Sequence, residues 1–472
     1  MLNDIVVTIR DFLWDYVLLF GFIGMGLYLT VVLKFPQFSR VFPALKKMIM
    51  GIINKEPALP GGMTPFQSLA TAVAAQVGTG NIVGVATAIA SGGPGAAFWM
   101  LVSGFLGMAT IFTEASMAQV FRERDENGEL VGGPAYYIKN GAKQKWLAYI
   151  FAILCIIGLG IVGIMVQSNS IITSINTAFG VNQKLIAVVL MIVVGWILLG
   201  GMSRIAKFSE TVVPVMAFAY VASAVVILIL NLNQVIPVLK LIITGAFNPQ
   251  AIAGGALGIS MQQAIRFGLA RGLFSNEAGM GSTPHSHAVA LNNHPAEQGF
   301  VAMIGVFICT FVICVATVMI NMLTGAYSAD VMSKFTEAIQ MENYAQVMTQ
   351  TAFNLQFGQV GEAFLSISLS AFALTTIVGW FFFAESNVKF IFKKASIVRW
   401  FKLVGLTAIA LGYFAGTGII WDLADLAMGL MALPNIIALL ILSRTAAKIL
   451  KDYDQQMALG EEHLSWDYKY EK

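Results

Sequence analysis

Charged side chains are scarce in this chain of 472 residues. Only 11% of the residues are Asp, Glu, Lys or Arg, whereas 57% are hydrophobic and the mean hydropathy is +0.77. A soluble domain carries roughly 25% charged residues, because its surface faces water. Several apolar runs also exceed the ~20 residues that a helix needs to cross a bilayer. The scarcity of charge therefore excludes an ordinary soluble protein and predicts a membrane protein.

Cysteine and histidine are also rare. Cys155, Cys309 and Cys314 lie in apolar runs without the spacing of a metal site or a disulfide framework, so we interpret them as small packing residues. His285 and His287 do not share a helix face and do not predict a metal site. The sequence has no phosphate-binding loop, and its net charge of +3 comes from helix ends. We therefore expect no ATP drive, no cofactor, no resident metal and no nucleic-acid partner.

Hydropathy predicts an all-α polytopic membrane protein with about eleven spans, since lipid forces every backbone polar group to pair within a helix. The predicted spans are residues 11–34, 64–90, 94–121, 146–173, 183–201, 208–231, 251–292, 297–325, 359–385, 400–418 and 420–443. The first span is expected to be retained and not cleaved as a signal peptide, because Asp4, Arg10, Asp11 and Asp15 interrupt this stretch.

Lys and Arg residues are unevenly divided between the two sides of these spans. Most of them fall on the side that holds loop 35–63 and the tail 444–472. Cytoplasmic loops carry the excess of Lys and Arg in membrane proteins. We therefore expect the amino terminus outside and the carboxyl terminus in the cytoplasm.

Two predicted spans carry polar, glycine-rich segments at membrane depth. These segments are Gln76–Asn81 and Gly272–Pro284. Such backbone is tolerated in a membrane only where it is buried or lines a cavity. Because the two spans lie five spans apart, the sequence predicts a 5+5 inverted repeat with a broken helix opening each half. The predicted plan is a single transmembrane domain with an extra amino-terminal helix at 11–34, repeats at 64–231 and 251–443, and a cytoplasmic tail at 444–472.

A broken helix supplies binding groups inside a membrane. Unwound carbonyls coordinate a cation, and the amino end of a half-helix attracts a carboxylate. The first segment adds the side chains of Thr79 and Asn81, and the second adds Phe274, Ser275 and Asn276. This set suits an amino-acid zwitterion and a monovalent cation. Glycine kinks for close helix packing are the alternative explanation.

Further polar residues in the spans leave alternatives open. Gln167 either bonds a neighbouring helix or faces the site. Thr375 and Thr376 either bond carbonyls of their own helix or bind the cation, with Trp380 as a wall of the pocket.

Charged residues inside spans are costly and are usually paired or functional. Arg271 and Glu277 flank the second segment, and we predict that they form a structural ion pair. Proton coupling or binding of a substrate ammonium by Glu277 is the alternative. The role of Glu114 stays open.

The chain resembles the alanine or glycine:cation symporter family from end to end. The motifs that carry the resemblance are Gly61-Gly62-Met63-Thr64-Pro65-Phe66-Gln67-Ser68-Leu69, Val77-Gly78-Thr79-Gly80-Asn81-Ile82, Gly92-Gly93-Pro94-Gly95, Gly132-Gly133-Pro134, Ala270-Arg271-Gly272-Leu273-Phe274-Ser275-Asn276-Glu277-Ala278-Gly279 and Gly379-Trp380. The resemblance implies a LeuT-type fold with one extra amino-terminal helix. It also implies Na+- or H+-coupled import of alanine, glycine or a related amino acid by a monomeric carrier of a prokaryotic inner membrane.

The resemblance also assigns roles to individual residues. The implied substrate pocket consists of Thr79, Gly80, Asn81, Gln167, Phe274, Ser275, Asn276, Thr376 and Trp380. The implied cation site consists of the carbonyls of Ala74 and Val77 and the hydroxyls of Thr375 and Thr376. The chain departs from the family pattern at Gln76, at Cys309-Thr310 in place of Asp-Thr, and after Trp380, where tyrosines and a glycine are missing. Glutamine therefore stays open as a substrate beside alanine and glycine.

Two other classes of function fit the sequence less well. A channel needs a continuous polar pore, whereas the polar residues here cluster at mid-membrane. An intramembrane enzyme needs a nucleophile and a base in reach of each other. No histidine accompanies a serine at mid-depth, so we expect no enzyme.

Overall fold

The computed structural model describes residues 2–41, 43, 45–46, 62–126, 128–247, 261–335, 338–414, 417–459 and 464–469. Most of the predicted loop 35–63 and the first ten residues of the predicted span 251–292 lie outside the described residues.

The described chain is almost entirely helical. Its α-helices are α1 (Leu2–Phe12), α2 (Leu19–Val32), α3 (Pro36–Ser39), α4 (Pro65–Gln76), α5 (Val85–Gly92), α6 (Gly95–Val120), α7 (Pro134–Asn140), α8 (Lys145–Ile157), α9 (Ile164–Phe179), α10 (Gln183–Leu199), α11 (Gly201–Leu230), α12 (Leu232–Phe247), α13 (Met261–Asn276), α14 (Pro284–Ala288), α15 (Pro295–Phe307), α16 (Val315–Leu323), α17 (Ala329–Met332), α18 (Ala338–Phe392), α19 (Ala395–Phe414) and α20 (Thr417–Ala458). Four π-helical turns join some of them: π1 (Leu13–Leu18), π2 (Gly80–Gly84), π3 (Gly158–Gly163) and π4 (Ile308–Cys314). Two short antiparallel strands, β1 (Glu123–Arg124) and β2 (Leu130–Val131), form a hairpin.

The helices confirm a multi-pass membrane protein. Eight helical runs in the described part are long and apolar enough to cross a membrane, and α4 with π2 and α5 makes a ninth that is bent by 55°. Helix α10 is apolar but has only 17 residues, and α13 begins where the described residues resume. The count of eleven spans and the 5+5 repeat remain predictions.

Three helices differ from the hydropathy prediction. Helix α12 occupies a stretch expected to be a loop, and Phe98 of α6 packs against its last residue, Phe247, with ring centroids 5.2 Å apart. Helix α18 begins before the predicted span at 359 and is divided by Gly358, whose φ of 62° interrupts the helix. Helix α20 extends to Ala458, beyond the predicted end at 443. Helix α12 is apolar but has only 16 residues, too few to span a bilayer, and the extensions of α18 and α20 are rich in polar and charged residues, so neither kind of segment appears as an apolar run of spanning length.

The exposed side chains show which surface faces lipid. Large apolar residues of α10 and α11, such as Ile192, Trp196, Leu199 and Phe218, are exposed, whereas α6 and both broken helices are largely buried. Many large apolar side chains exposed together are typical of a membrane interface. The two broken helices therefore lie inside the bundle, shielded from the bilayer.

Candidate functional site

The first break separates α4 from π2. Helix α4 begins with a capping box, in which Thr64 and Gln67 each accept a backbone N–H of the other at 3.1 Å. It ends at Gln76, because Val77 leaves helical geometry with φ −91° and ψ 82°. Residues 77–79 join α4 to π2, and Thr79 already has helical angles of φ −59° and ψ −27°; we call these residues the first break. They lie within the predicted segment Gln76–Asn81.

Side chains satisfy part of the freed backbone at the first break. Asn81 Oδ1 accepts the Gly78 N–H at 3.1 Å, and Gln167 Oε1 accepts the Thr79 N–H at 3.3 Å. Gln167 comes from α9, so its carboxamide reaches across to the first break. The structure thus brings three of the predicted pocket residues, Thr79, Asn81 and Gln167, to one place.

The second break follows α13. Helical hydrogen bonding continues to Glu277, whose N–H donates to the Leu273 carbonyl at 2.8 Å. Glu277, Gly279 and Gly281 then have φ values of 56°, 91° and 82°, a region that glycine adopts without strain. We call residues 277–283 the second break. The prediction of unwinding from Gly272 was wrong for residues 272–276, which are helical.

The two breaks face each other. Gln76 Nε2 donates to the Asn276 carbonyl at 2.8 Å and links the end of α4 to the end of α13. A Cβ atom placed on Gly80 would lie 3.0 Å from the Phe274 ring, so the absence of a side chain at residue 80 permits this close approach. Asn276 Nδ2 donates to Thr310 Oγ1 at 3.2 Å, and Asn276 Oδ1 accepts the Ala278 N–H at 3.0 Å. The predicted residues Gly80, Phe274 and Asn276 therefore meet at one centre.

Two polar atoms at this centre lack a partner. Gln76 Oε1 and Thr79 Oγ1 are fully buried and have no hydrogen-bond partner among the described residues. A buried polar group without a partner costs about 1–3 kcal/mol. A centre that retains such atoms is suited to a polar ligand.

A threonine of α18 reaches the first break. Thr376 Oγ1 donates to the Ala74 carbonyl at 3.0 Å and lies 3.3 Å from the Ala75 carbonyl. It therefore clusters with the carbonyl end of α4. Thr376 Oγ1 also lies 3.0 Å from the Phe372 carbonyl of its own helix, and Thr375 Oγ1 donates to the same carbonyl at 2.8 Å. Of the predicted cation ligands, the structure thus brings Ala74 and Thr376 together most closely.

The predicted ion pair between Arg271 and Glu277 does not form. Arg271 donates two hydrogen bonds to Asp425 of α20, at 3.0 and 3.1 Å. Glu277 Oε1 accepts the indole N–H of Trp380 at 2.8 Å, and Glu277 Oε2 accepts the Ser282 hydroxyl. Arg271 lies inside α13, whereas Glu277 lies beyond its end and has a φ of 56°, so the two side chains meet different neighbours.

Glu114 holds the second break from the side. Its carboxylate accepts the Gly279 N–H at 2.9 Å and the Gly281 N–H at 3.0 Å. Asn435 of α20 donates to the same carboxylate and also to the Gly279 carbonyl, the latter at 2.8 Å. The sequence contains one signal for this role: Glu114 is an acidic residue inside the predicted span 94–121, and that span has no Lys or Arg to pair with it.

Cys309 and Cys314 are buried, as expected of packing residues, but they also have polar neighbours. Cys309 and Cys314 of π4 lie against Asn81 and Ser275, which belong to the predicted pocket. Their spacing carried no signal for this, because the partners lie on other helices.

Ionic contacts cover one end of the bundle, which we call the Arg271 end. Besides the pair with Asp425, Arg10 of α1 pairs with Asp422 of α20, and the Trp14 indole donates to the Asp425 carbonyl at 2.9 Å. The rings of Phe274 and Trp421 lie 6.1 Å apart beneath these pairs. The amino-terminal helix, α13 and α20 are thereby joined over the centre.

Backbone contacts cover the opposite end, which we call the Met63 end. Met63 N donates to the Val289 carbonyl at 2.9 Å, and Leu291 N donates to the Met63 carbonyl at 3.0 Å. Tyr468 of the tail donates to the Asn292 carbonyl at 2.9 Å, and the Arg122 guanidinium lies over its ring at 4.3 Å. The half-helices below both breaks are thus tied to each other.

A cavity of about 420 Å³ lies near the Met63 end, between the β-hairpin, α18 and α19. Its lining includes Val289 and Phe382 and is rich in charged side chains, such as Lys389, Glu385 and Glu129. The predicted pocket residues themselves are closed off, since Thr79, Asn81, Ser275, Asn276 and Thr376 are 0% exposed.

A solved structure resembles the overall fold of this chain. A manganese transporter of Eremococcus coleocola, solved as a point mutant, matches with a TM-score of 0.53 and 13% identity over 84% of this chain and 87% of that chain. At this identity the match shows the fold alone, a LeuT-like transporter fold.

The sequence matches are closer. The sodium/alanine symporter AgcS of Methanococcus maripaludis is 35% identical over 456 residues, covering 96% of this chain and 97% of that protein. The probable sodium/glutamine symporter GlnT of Bacillus subtilis is 36% identical over 462 residues, covering 98% and 93%. A family model described as the sodium:alanine symporter family matches residues 1–466. This chain therefore belongs to the sodium:alanine symporter family.

Proposed function

We propose that this protein imports a small neutral amino acid, such as alanine or glycine, together with Na+. One observation carries the proposal: two broken helices face each other inside the bundle, and their meeting point holds buried polar atoms without partners among the described residues, Gln76 Oε1 and Thr79 Oγ1. Unwound half-helices at the membrane midplane are the sites at which secondary transporters bind substrate and coupling ion.

The helix dipoles assign the two ends of the amino acid. The α-carboxylate lies at the amino end of π2, near Thr79 and Gly80, where the positive end of the half-helix favours an anion. The ammonium lies towards the carbonyl end of α13, near Asn276. Phe274, 3.0 Å from a Cβ built on Gly80, leaves little room for a large side chain. A small substrate follows from this close approach.

The cation lies at the carbonyl end of α4. The Ala74 carbonyl and Thr376 Oγ1, 3.0 Å apart, supply two of its oxygen ligands. The family resemblance adds the Val77 carbonyl and Thr375 Oγ1, and Thr375 must turn away from the Phe372 carbonyl to join them. Because this site joins α18 to the first break, a bound cation stabilises the geometry that the amino acid also requires. Such coupling free energies are typically about 1–3 kcal/mol.

Transport proceeds by alternating access, as one bundle moves against the other around the central site. The chain forms eleven spans in two inverted sets of five after the first helix. The Arg271 end faces outside, and the Met63 end and the tail face the cytoplasm of a prokaryotic cell. The contacts at both ends support a closed state, with the cavity near Val289 and Phe382 as the release route.

Glutamine with Na+ is the second candidate. It is favoured by the 36% identity to the probable sodium/glutamine symporter of Bacillus subtilis and by the carboxamide of Gln76 at the centre. H+ is the alternative coupling ion. A relative from Bacillus subtilis that is 35% identical to this chain is named a putative sodium/proton-dependent alanine carrier protein.

Uptake by proteoliposomes tests the proposal. The purified chain is reconstituted and supplied with labelled alanine, glycine or glutamine, with a Na+ gradient, with a pH gradient, or with neither. We expect accumulation of alanine or glycine that requires the Na+ gradient. Equal uptake without Na+ refutes Na+ coupling, and preference for glutamine replaces the first candidate by the second.

The variant Asn276→Ala tests the central site. It removes the buried bonds to Thr310 and Ala278 and should abolish most uptake. Asn354→Ala is the control, because Asn354 is exposed and donates to Glu362 on the protein surface. Near-normal uptake by Asn276→Ala would contradict the central site.

A further inference from the structure

Cys309 and Cys314 lie next to each other at the centre of the bundle. Both belong to π4, where hydrogen bonds join residues five positions apart, and they are 0% and 1% exposed. Asn81 Nδ2 lies 2.9 Å from Cys309 Sγ and 3.5 Å from Cys314 Sγ. Ser275 Oγ lies 3.4 Å and 3.0 Å from the same two sulfurs. The two thiols therefore share one polar neighbour beside each break.

Neither Na+ nor an amino acid requires sulfur ligands. Oxygen atoms suit hard cations, whereas thiolates select soft metal ions such as Cu+. Two thiols that contact the same atoms can hold one soft ion between them, with Asn81 and Ser275 displaced outwards. The third cysteine offers no such pair, since Cys155 of α8 contacts Asn387 at 3.1 Å instead.

We propose that Cys309 and Cys314 form a binding site for one soft, thiophilic metal ion between the two breaks, and that an ion bound there blocks transport. Each S–metal bond forms as the thiol S–H bond breaks, and the proton passes to water. A divalent ion therefore replaces two protons, and no electron is transferred. The metal fixes π4 against the first break and the end of α13. The blocking effect rests on the proposed function, whereas the metal site does not.

Mercury binding tests the site directly. HgCl2 is titrated into the purified chain in the presence of excess 2-mercaptoethanol, and the mercury that remains bound is measured after gel filtration. We expect one tightly bound Hg2+ per chain for the wild type and for Cys155→Ser. Cys309→Ser and Cys314→Ser should each bind about 100-fold more weakly, because a second linked ligand raises overall affinity by that order.

A measurement on the wild-type chain avoids dependence on the folding of the variants. One equivalent of Hg2+ should protect Cys309 and Cys314, but not Cys155, from alkylation by N-ethylmaleimide during unfolding, as measured by mass spectrometry of the peptides. Na+ with the transported amino acid should slow mercury binding, since they hold the breaks around the thiols.

The outcomes separate the two proposals. Unchanged mercury affinity in Cys309→Ser and Cys314→Ser, or protection of Cys155 alone, overturns the metal site. Mercury bound to the pair with uptake at the full rate overturns the blocking effect. Mercury bound to the pair in a chain that shows no Na+-dependent uptake supports the site and counts against the proposed function.

Discussion

Replacing Glu114 with Gln tests how firmly the second break must be held for substrate to bind. In the structure the Glu114 carboxylate is fully buried and accepts the N–H groups of Gly279 and Gly281 at 2.9 and 3.0 Å. Asn435 donates a third hydrogen bond to it. The unwound residues 277–283 depend on these bonds, because they have left the helix that would otherwise satisfy them.

The size of the effect follows from counting donors and acceptors. A carboxylate presents two acceptor oxygens, whereas a carboxamide presents one oxygen and one NH2 group. In Glu114→Gln at least one glycine N–H therefore faces another donor. Hydrogen bonds to charged groups contribute about 1.5–3 kcal/mol each. If that energy is lost from the conformation that binds substrate, the apparent amino-acid affinity falls by about 10- to 150-fold.

Equilibrium binding of labelled amino acid to purified protein, with Na+ present, measures this change. Glu362→Gln is the control, because Glu362 accepts hydrogen bonds from Gln350 and Asn354 far from the breaks. Its affinity should stay within about twofold of the wild type, as for a surface substitution. Thermal unfolding of both variants separates a local effect from general destabilisation. An unchanged amino-acid affinity in folded Glu114→Gln would refute the reasoning.

Three further predictions concern the cation site and the two ends of the bundle. Thr376→Ala should raise the Na+ concentration for half-maximal uptake about tenfold, the effect of losing one ligand worth about 1.4 kcal/mol. The control Thr211→Ala, at an exposed residue, should leave that concentration unchanged. Equal Na+ dependence of the two variants argues against the cation site. Arg271→Gln and Asp425→Asn should each increase the rate of amide hydrogen exchange in α13. A double-mutant cycle on the free energy of this opening should give a coupling between the two residues of about 1–3 kcal/mol. If the two free-energy changes are additive, the pair does not close the Arg271 end. Tyr468→Ala should increase hydrogen exchange around Met63 and Ser68, while the exposed Leu459→Ala should leave it unchanged; no difference between them would show that the tail does not brace the Met63 end.

The sequence by itself determined the membrane class and where the helices break. Lipid cannot hydrogen-bond backbone, so long apolar runs must be helices, and polar glycine-rich segments within them must unwind in a protected place. Both segments, Gln76–Asn81 and Gly272–Pro284, contain a break in the structure. The residues that surround them, including Thr79, Asn81 and Asn276, could therefore be predicted from local chemistry as a candidate site, and the structure places them close together.

Only the tertiary structure decided which groups meet. The spans are apolar on all sides, so periodicity does not show which face of a helix points to which neighbour. Gln76 bonds a carbonyl 200 positions away, and Glu114 bonds an N–H 165 positions away. The sequence predicts a pair between Arg271 and Glu277 because they flank the second segment, but packing between α13 and α20 brings Arg271 to Asp425. Cys309 and Cys314 became part of the centre for the same reason: packing between helices, which no local pattern records, brings their sulfurs to Asn81 and Ser275.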